Sequence, residues 1–311
     1  MSYEKFIGID VSKDQLDIAV NPTGETRIFS NTDDGILELV SFITTASPVL
    51  IILESTGGFE TYVVSILGEK GLPVVVVNPR QVRNFAKATG TLAKTDKIDA
   101  HIIAHFASAV RPEVRPLKDE QTQLLSALNT RRRQILSMLT SEKNRFATAP
   151  KPNRKNIKKH IEWLENSLKT INKDITNSVR KSSAWREKDD ILQSFKGVGP
   201  AISAVLLCNL PELGELNRKK IAALVGIAPM NRDSGRYRGR RSIIGGRANV
   251  RSLLYMGTLS AIRSNAAIKK FYERLKSAGK PHKVAMTACM RKIIIILNAM
   301  IKNRTYWQAS Y

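Results

Sequence analysis

The sequence predicts a mixed α/β domain followed by a larger, mainly α-helical region, and three observations carry that prediction. Short β-rich runs open the chain and give way to continuous apolar strands alternating with helices. Long helices with an apolar seam begin near Lys118. The charge is also split: residues 1–115 hold 11 basic against 14 acidic side chains, net −3, so the rest of the 311-residue chain holds 39 against 13, net +26. A total of +23 and a pI near 10.2 point to a polyanionic partner, with the positive field in the second part.

The elements follow in order. KFIGIDVS (5–12), QLDIAV (15–20) and ETRIFSN (25–31) read as an antiparallel meander. A helix over 35–44 places Ile36, Leu39, Val40 and Ile43 on one face. The strand VLIILEST (49–56), a helix over 59–70 and the strand PVVVVN (73–78) complete a domain spanning 1–115. Continuous β-branched runs between helices are buried on both faces of a sheet. Three strands followed by αβαβ is the ribonuclease-H-like order.

Residues 116–190 read as a coiled-coil linker. Leu124, Leu128, Ile135 and Met138 in one helix, and Ile161, Leu164, Leu168, Ile171 and Ile175 in the next, follow the three-four spacing of a seam. ATAPKPNRKN (147–156), with two prolines, breaks the helix and predicts an antiparallel hairpin. Clusters at Arg131, Arg132, Arg133 and at Arg154, Lys155, Lys158, Lys159 mark the hairpin for nucleic acid contact.

Residues 191–311 read as a compact helical domain. Helix, Gly197-Val198-Gly199-Pro200, helix resembles a helix-hairpin-helix, whose glycine turn offers backbone N–H groups to a phosphate. Helices over 218–226, 248–264, 266–278 and 283–302 follow. The loop RYRGRRSIIGGRANVRS (236–252) sets one hydroxyl, Ser242, among Arg236, Arg238, Arg240, Arg241, Arg247 and Arg251.

Cys208 and Cys289 lie far apart in apolar helical contexts, which argues against a disulfide framework or a cysteine zinc site. No signal peptide opens the chain, and the runs VLIIL, PVVVV and IIIIL are too short to span a membrane. A cytoplasmic, nucleoid-associated protein is expected.

The acidic half carries a candidate metal site. Asp10 stands inside an otherwise apolar strand, where a carboxylate is costly unless paired or bound to a cation. Glu54 lies near the end of the strand that neighbours it in a ribonuclease-H-like sheet. Asp96 and Asp99, three residues apart, fall on one helix face and repel each other unless a divalent cation converts that repulsion into binding. Asp14, Asp17 and Glu60 read as surface or turn residues, and His101 and His105 as a polar helix face.

Asp10 in GIDVSK, Glu54 in LESTGG, and Asp96 and Asp99 in KTDKIDA resemble the Asp-Glu-Asp-Asp signature of the insertion-sequence "one-ten" family of transposases, relatives of the Piv DNA invertases. FKGVGPAISAVLL, LVGIAPMNRDSG and GRRSIIGGRANVRSLLYM resemble its second half, so the likeness covers essentially the whole chain without departure at the five key positions. The resemblance implies a RuvC-like domain, a helical linker and a transposase domain with Ser242 as its serine. It also implies Mg²⁺ or Mn²⁺ at the four acids and a structured noncoding guide RNA, the bridge RNA, that selects donor and target DNA. A dimer or tetramer would build each active site from one subunit's acids and another's serine.

The chemistry of the residues agrees with a reaction in which Ser242 Oγ attacks a metal-polarised phosphate and forms a phosphoserine link, with Arg240, Arg241 and Arg247 binding phosphate. Two rivals stay open on sequence grounds: a junction-resolving nuclease in which the acids activate water, and a noncatalytic nucleic-acid scaffold.

Overall fold

The computed structural model describes residues 3–91, 96–114, 119–231, 233–239 and 241–308, with the backbone alone for Asp96 and Lys97. The chain divides into two compact units, 1–117 and 118–311.

In the first unit, β1 (Phe6–Val11), β2 (Gln15–Asn21) and β3 (Thr26–Ser30) form the antiparallel meander. After α1 (Asp33–Ala46), β4 (Leu50–Glu54) pairs parallel with β1. α2 (Glu60–Glu69) then leads to β5 (Val74–Val77), parallel to β4, giving the order β3-β2-β1-β4-β5. This five-stranded mixed sheet is compatible with a ribonuclease-H-like fold.

α3 (Pro79–Ala88) was not evident in the sequence pattern, whereas α4 (Asp96–Val110) is the helix expected around Asp96, Asp99, His101 and His105. Asn78 starts α3 by accepting the Arg80 N–H at 2.9 Å, with Pro79 pre-set for the first helical position.

Strand periodicity sorts the side chains. Ile7, Ile9, Val11, Ile51 and Leu53 pack with Ile36, Leu39 and Ile43 of α1 and Leu67 of α2. Phe6, Leu50 and Ile52 pack on the opposite face with Val82 of α3 and Ile103 and Phe106 of α4. Gly8 lies on that second face, where a Cβ would stand 2.2 Å from the Ala104 backbone nitrogen. Only glycine lets α4 lie this close to β1.

The second unit begins with the hairpin of α5 (Glu120–Thr148) and α6 (Lys151–Lys181). Two expectations need correction. The break is confined to Ala149 and Pro150, because Pro152 falls in the first turn of α6, where no intrahelical donor is required. The seam of α5 is also shifted in part: Ile135 is buried and Leu128 packs in the hairpin as expected, but Leu125 and Leu139 are buried where Leu124 is 56% and Met138 36% exposed. Seven-residue steps from Leu125 pass through Arg132 to Leu139, so a guanidinium occupies a seam position. Arg132 Nε donates to Asn172 Oδ1 at 2.7 Å, and burial pushes its pKa down.

α7 (Ser183–Ser194), α8 (Pro200–Asn209), α9 (Arg218–Val225), α10 (Ala248–Ser264), α11 (Ala266–Ser277) and α12 (His282–Asn303) enclose the main helical core. The base of the hairpin joins α8 through Leu125, Ile175, Val179, Ala204 and Cys208. Length and composition would let α12 cross a membrane, contrary to the estimate from apolar runs alone. Ten of its residues, including Met286, Ile293, Ile294 and Leu297, are buried in the helical unit. Cys208 and Cys289 are buried thiols not joined in a disulfide, and burial raises the Cys289 pKa to about 11.

Where a loop was expected around Ser242, four two-residue strands form two small ladders: β6 (Pro229–Met230) with β9 (Ser242–Ile243), and β7 (Asp233–Ser234) with β8 (Tyr237–Arg238).

Candidate active site

The first unit contains an acidic cleft of about 550 Å³. Ile9 of β1 is in register with Leu53 of β4, so Asp10 and Glu54 are the next residues on adjacent parallel strands. Both lie on the α3/α4 face of the sheet, two residues beyond Gly8 and Ile52 respectively. Asp99 stands at the start of α4, and all three carboxylate residues line the cleft. Gly8 therefore does more than fill space: by drawing α4 onto β1 it brings Asp99 to the strand ends.

Asp96 lies three residues before Asp99 at the helix start, and its side chain is outside the described residues. The oxygen donor set suits Mg²⁺ or Mn²⁺ rather than a soft metal. Among the described residues no three acidic, histidine or cysteine groups lie close enough to hold an ion, so the described side chains do not complete a coordination sphere without a further donor.

Three participants in this region were missed in the sequence. Arg80 and Arg83 of α3 line the same cleft, one turn apart, and place positive charge in an otherwise acidic unit. The Asn78-Pro79 pair after a strand was the available signal for their helix. Asp17, expected at the surface, is 7% exposed on β2, directly opposite Asp10 across the antiparallel ladder. It accepts a hydrogen bond from Gln15 Nε2 at 2.8 Å.

Glu60 is also more than a turn residue. Its Oε2 accepts from the Gly58 N–H at 2.8 Å, the Thr56 N–H at 3.2 Å and the Thr56 hydroxyl at 3.1 Å. Burial opposes its ionisation, but these donors and its own N–H outweigh that and hold its pKa below the ordinary value. The carboxylate thus fixes the turn after Glu54, whose Thr56 lines the cleft. His101 and His105 line a separate small cavity, and His105 meets Phe85 edge-on.

The second unit presents Ser242 exposed on β9 at the wall of a groove of about 1100 Å³. Its position is fixed from both sides. Met230 pairs with Ser242 across the β6/β9 ladder. Beyond it, Gly245 and Gly246 press against the end of α9, where a Cβ on Gly246 would stand 2.3 Å from the Gly226 nitrogen. The Arg247 N–H donates to Leu224 O at 3.0 Å, and Arg251 Nη1 donates to Gly245 O at 2.5 Å.

The surrounding arginines divide by role. Arg247, expected to bind phosphate, is instead an internal clamp: its guanidinium meets Glu212 Oε2 at 2.5 Å and Oε1 at 2.6 Å, and donates to Asn209 O at 2.8 Å. Three short bonds, with Arg247 and Glu212 only 25% and 21% exposed, engage three of its five N–H donors within the protein. Arg132, also expected at nucleic acid, is half-buried in the hairpin seam, where its Nε is held by Asn172. Arg251 secures the glycine turn and also lines the groove.

Arg241 lines the groove, Arg236 is exposed, and Arg238 faces Asp233 at 3.5 Å. Arg240 lies outside the described residues. Gly197 has a positive φ and packs against α10, where a Cβ would be 2.5 Å from the Ala261 Cβ, while Gly199 caps α8. Packing alone explains glycine at 197. Arg131, Lys155 and Lys158 are exposed on the hairpin.

Two family models match this chain. Residues 7–149, holding Asp10, Glu54, Asp96 and Asp99, match a transposase family model named for the IS110 group and its DEDD signature. Residues 189–273, holding Ser242, match the transposase IS116/IS110/IS902 family. The pilin gene-inverting proteins of Moraxella bovis and Moraxella lacunata are each 26% identical over 97% of this chain and 97% of their own lengths. An uncharacterized 44.8 kDa protein of insertion element IS116 from Streptomyces clavuligerus is 23% identical over 96% of this chain and 95% of its own. With two transposase family segments matched along the chain and relatives aligned over nearly its whole length, the chain belongs to the IS110 family of transposases and is a DNA transposase.

Proposed function

We propose that the transposase cuts and rejoins DNA through a Ser242–DNA phosphoserine intermediate, with donor and target chosen by a bridge RNA encoded by the element. The observation that carries the serine role is its setting: an exposed hydroxyl anchored by the Arg247–Glu212 clamp and a strand pair, on a groove that also bears Arg241, Arg251, Lys283 and Arg291. Ser242 Oγ forms a bond to phosphorus as the P–O bond to the leaving strand breaks. The serine proton passes to solvent and the departing oxygen is protonated as a hydroxyl. Reversal with a new strand end restores the serine and seals the joint. Because one phosphodiester bond is exchanged for another, its energy is retained.

Arg241, which lines the groove, would offer charge-assisted hydrogen bonds to the attacked phosphate. Asp10, Glu54, Asp96 and Asp99 would hold Mg²⁺ or Mn²⁺, which when bound supplies charge neutralisation at phosphate. Arg80 and Arg83 position nucleic acid backbone at that cleft. A RuvC-like identity for the first unit rests on the sheet order together with this carboxylate placement. Guide RNA binding, and assembly on nucleic acid as a dimer or tetramer, rest on the family resemblance and on the net charge of +26 over residues 116–311.

Purified protein incubated with its element-derived RNA, labelled DNA and Mg²⁺ should yield a protein–DNA adduct that survives denaturant. Ser242→Ala should abolish the adduct and strand cutting, and Glu54→Gln should abolish both while nucleic acid binding persists. An adduct formed by Ser242→Ala would refute the serine mechanism. Cutting by that variant without an adduct would favour the water-using nuclease.

A further inference from the structure

The groove beside Ser242 has a composition that phosphate binding alone does not require. It runs between the N-terminal halves of α10 and α12, closed on one side by β6 and β9. Tyr255 and Met256 of α10 and Val284 and Met290 of α12 give it an apolar lining, with Met256 59% and Val284 46% exposed. Lys283 and Arg291 stand two turns apart on α12, and Arg241 and Arg251 lie on the Ser242 side. Among the described residues, no acidic side chain lines it.

We propose that this groove seats one or two unstacked bases of the DNA strand being cut, next to the phosphate that Ser242 attacks. The inference rests on the reading of Ser242 as the residue that meets DNA. Charge complementarity selects a polyanion, since cations surround the groove and no carboxylate among its described lining residues offsets them. The apolar lining then selects among polyanions. A duplex presents phosphates and sugars outward and keeps its base faces stacked inside, whereas a splayed strand offers base faces that gain from apolar and aromatic contact. The volume of about 1100 Å³ lies at the upper end of small-molecule sites, enough for nucleotides and not for a folded partner. Unstacking a base beside the scissile phosphate would also hold that phosphate against rotation. The groove would then contribute to in-line geometry without taking part in bond making.

The test uses full-length Ser242→Ala protein, so that binding is measured without chemistry, and a 12-nucleotide DNA single strand as probe. The neutral double change Met256→Asn/Val284→Asn should weaken binding about tenfold. It should leave the slope of log K against log salt unchanged. Lys283→Ala/Arg291→Ala should instead flatten that slope by roughly 1.4, at about 0.7 for each phosphate no longer neutralised. A strand with abasic sites at its central positions should bind the parent about tenfold more weakly. It should also be indifferent to the Met256/Val284 change.

Equal binding of normal and abasic strands would overturn the proposal. So would a double variant that binds as the parent does, or a duplex of the same length that binds more tightly with the same sensitivity. An RNA strand that binds more tightly and shows the base-dependent loss would overturn the assignment to DNA and give the groove to RNA instead. Failure here leaves the adduct assay untouched, because that assay reads Ser242 chemistry and this one reads base contact.

Discussion

Replacing Arg247 by alanine separates an internal clamp from a phosphate ligand. The guanidinium makes two bonds to Glu212, at 2.5 and 2.6 Å, and one to Asn209 O at 2.8 Å. Hydrogen bonds to charged groups contribute about 1.5–3 kcal/mol each, but three bonds from one group are not additive. Breaking a buried ion pair by removing one partner costs about 3–5 kcal/mol. Because both side chains retain some exposure, 25% and 21%, the lower end applies, about 3 kcal/mol. A unit of this size shifts its midpoint by roughly 2–4 °C per kcal/mol, so Arg247→Ala should lower it by about 6–12 °C.

The assay is built into the sequence. Trp163, Trp185 and Trp307 all lie in the second unit, so tryptophan fluorescence during heating follows that unit alone. Arg247→Lys keeps the charge but loses the two-pronged geometry, and should recover less than half of the loss. A cycle with Glu212→Ala should show coupling above about 1 kcal/mol. If Arg247→Ala left the melting midpoint unchanged while weakening DNA binding tenfold, the clamp would be wrong and Arg247 would be a ligand after all.

Other perturbations probe the first unit and the core. Gly8→Ala drives a Cβ to within 2.2 Å of the α4 backbone; it should cost about 3 kcal/mol or more by urea unfolding of the first unit, and abolish adduct formation by displacing Asp99. Glu60→Gln should increase amide hydrogen exchange at Thr56 and Gly58, two of its donors. Since the folded pKa of Glu60 is lowered, its stabilising effect is present above its ordinary 4.5 and is lost as pH falls through the folded value. Hydrogen exchange measured across that acid range should show the loss in the parent and not in the variant. The Cys289 thiol, raised to about 11, should resist thiol reagents at neutral pH until the protein unfolds. Its contribution to stability is complete below the ordinary 9.0 and declines as pH rises through about 11, which chemical denaturation at alkaline pH would detect.

Local pattern made the sheet order, the helical hairpin and most C-terminal helices legible. Continuous β-branched runs announced strands buried on both faces, and the helices over 248–264 and 283–302 match α10 and α12 within a residue at each end. The five key residues were legible as types in a signature, but their neighbours were not. Arg83 and Arg80 needed α3 to be recognised, and Asp17 needed the β1/β2 register that sets it opposite Asp10. A one-residue seam error exposed Leu124 and Met138 and hid Arg132 in the hairpin, because every third or fourth position looks alike until the facing helix chooses the stripe.

By itself, the sequence determined most of the longer elements, where the positive charge resides and which hydroxyl and carboxylates carry the family signature. Tertiary structure decided which of the described arginines near Ser242 are committed to partners within the fold. A guanidinium has the same charge in a loop, a seam or a groove, and only the position of its partners separates Arg247, committed to Glu212, from Arg241, which lines the groove. Glu212 is 35 residues from Arg247 along the chain, and no local pattern reaches that far.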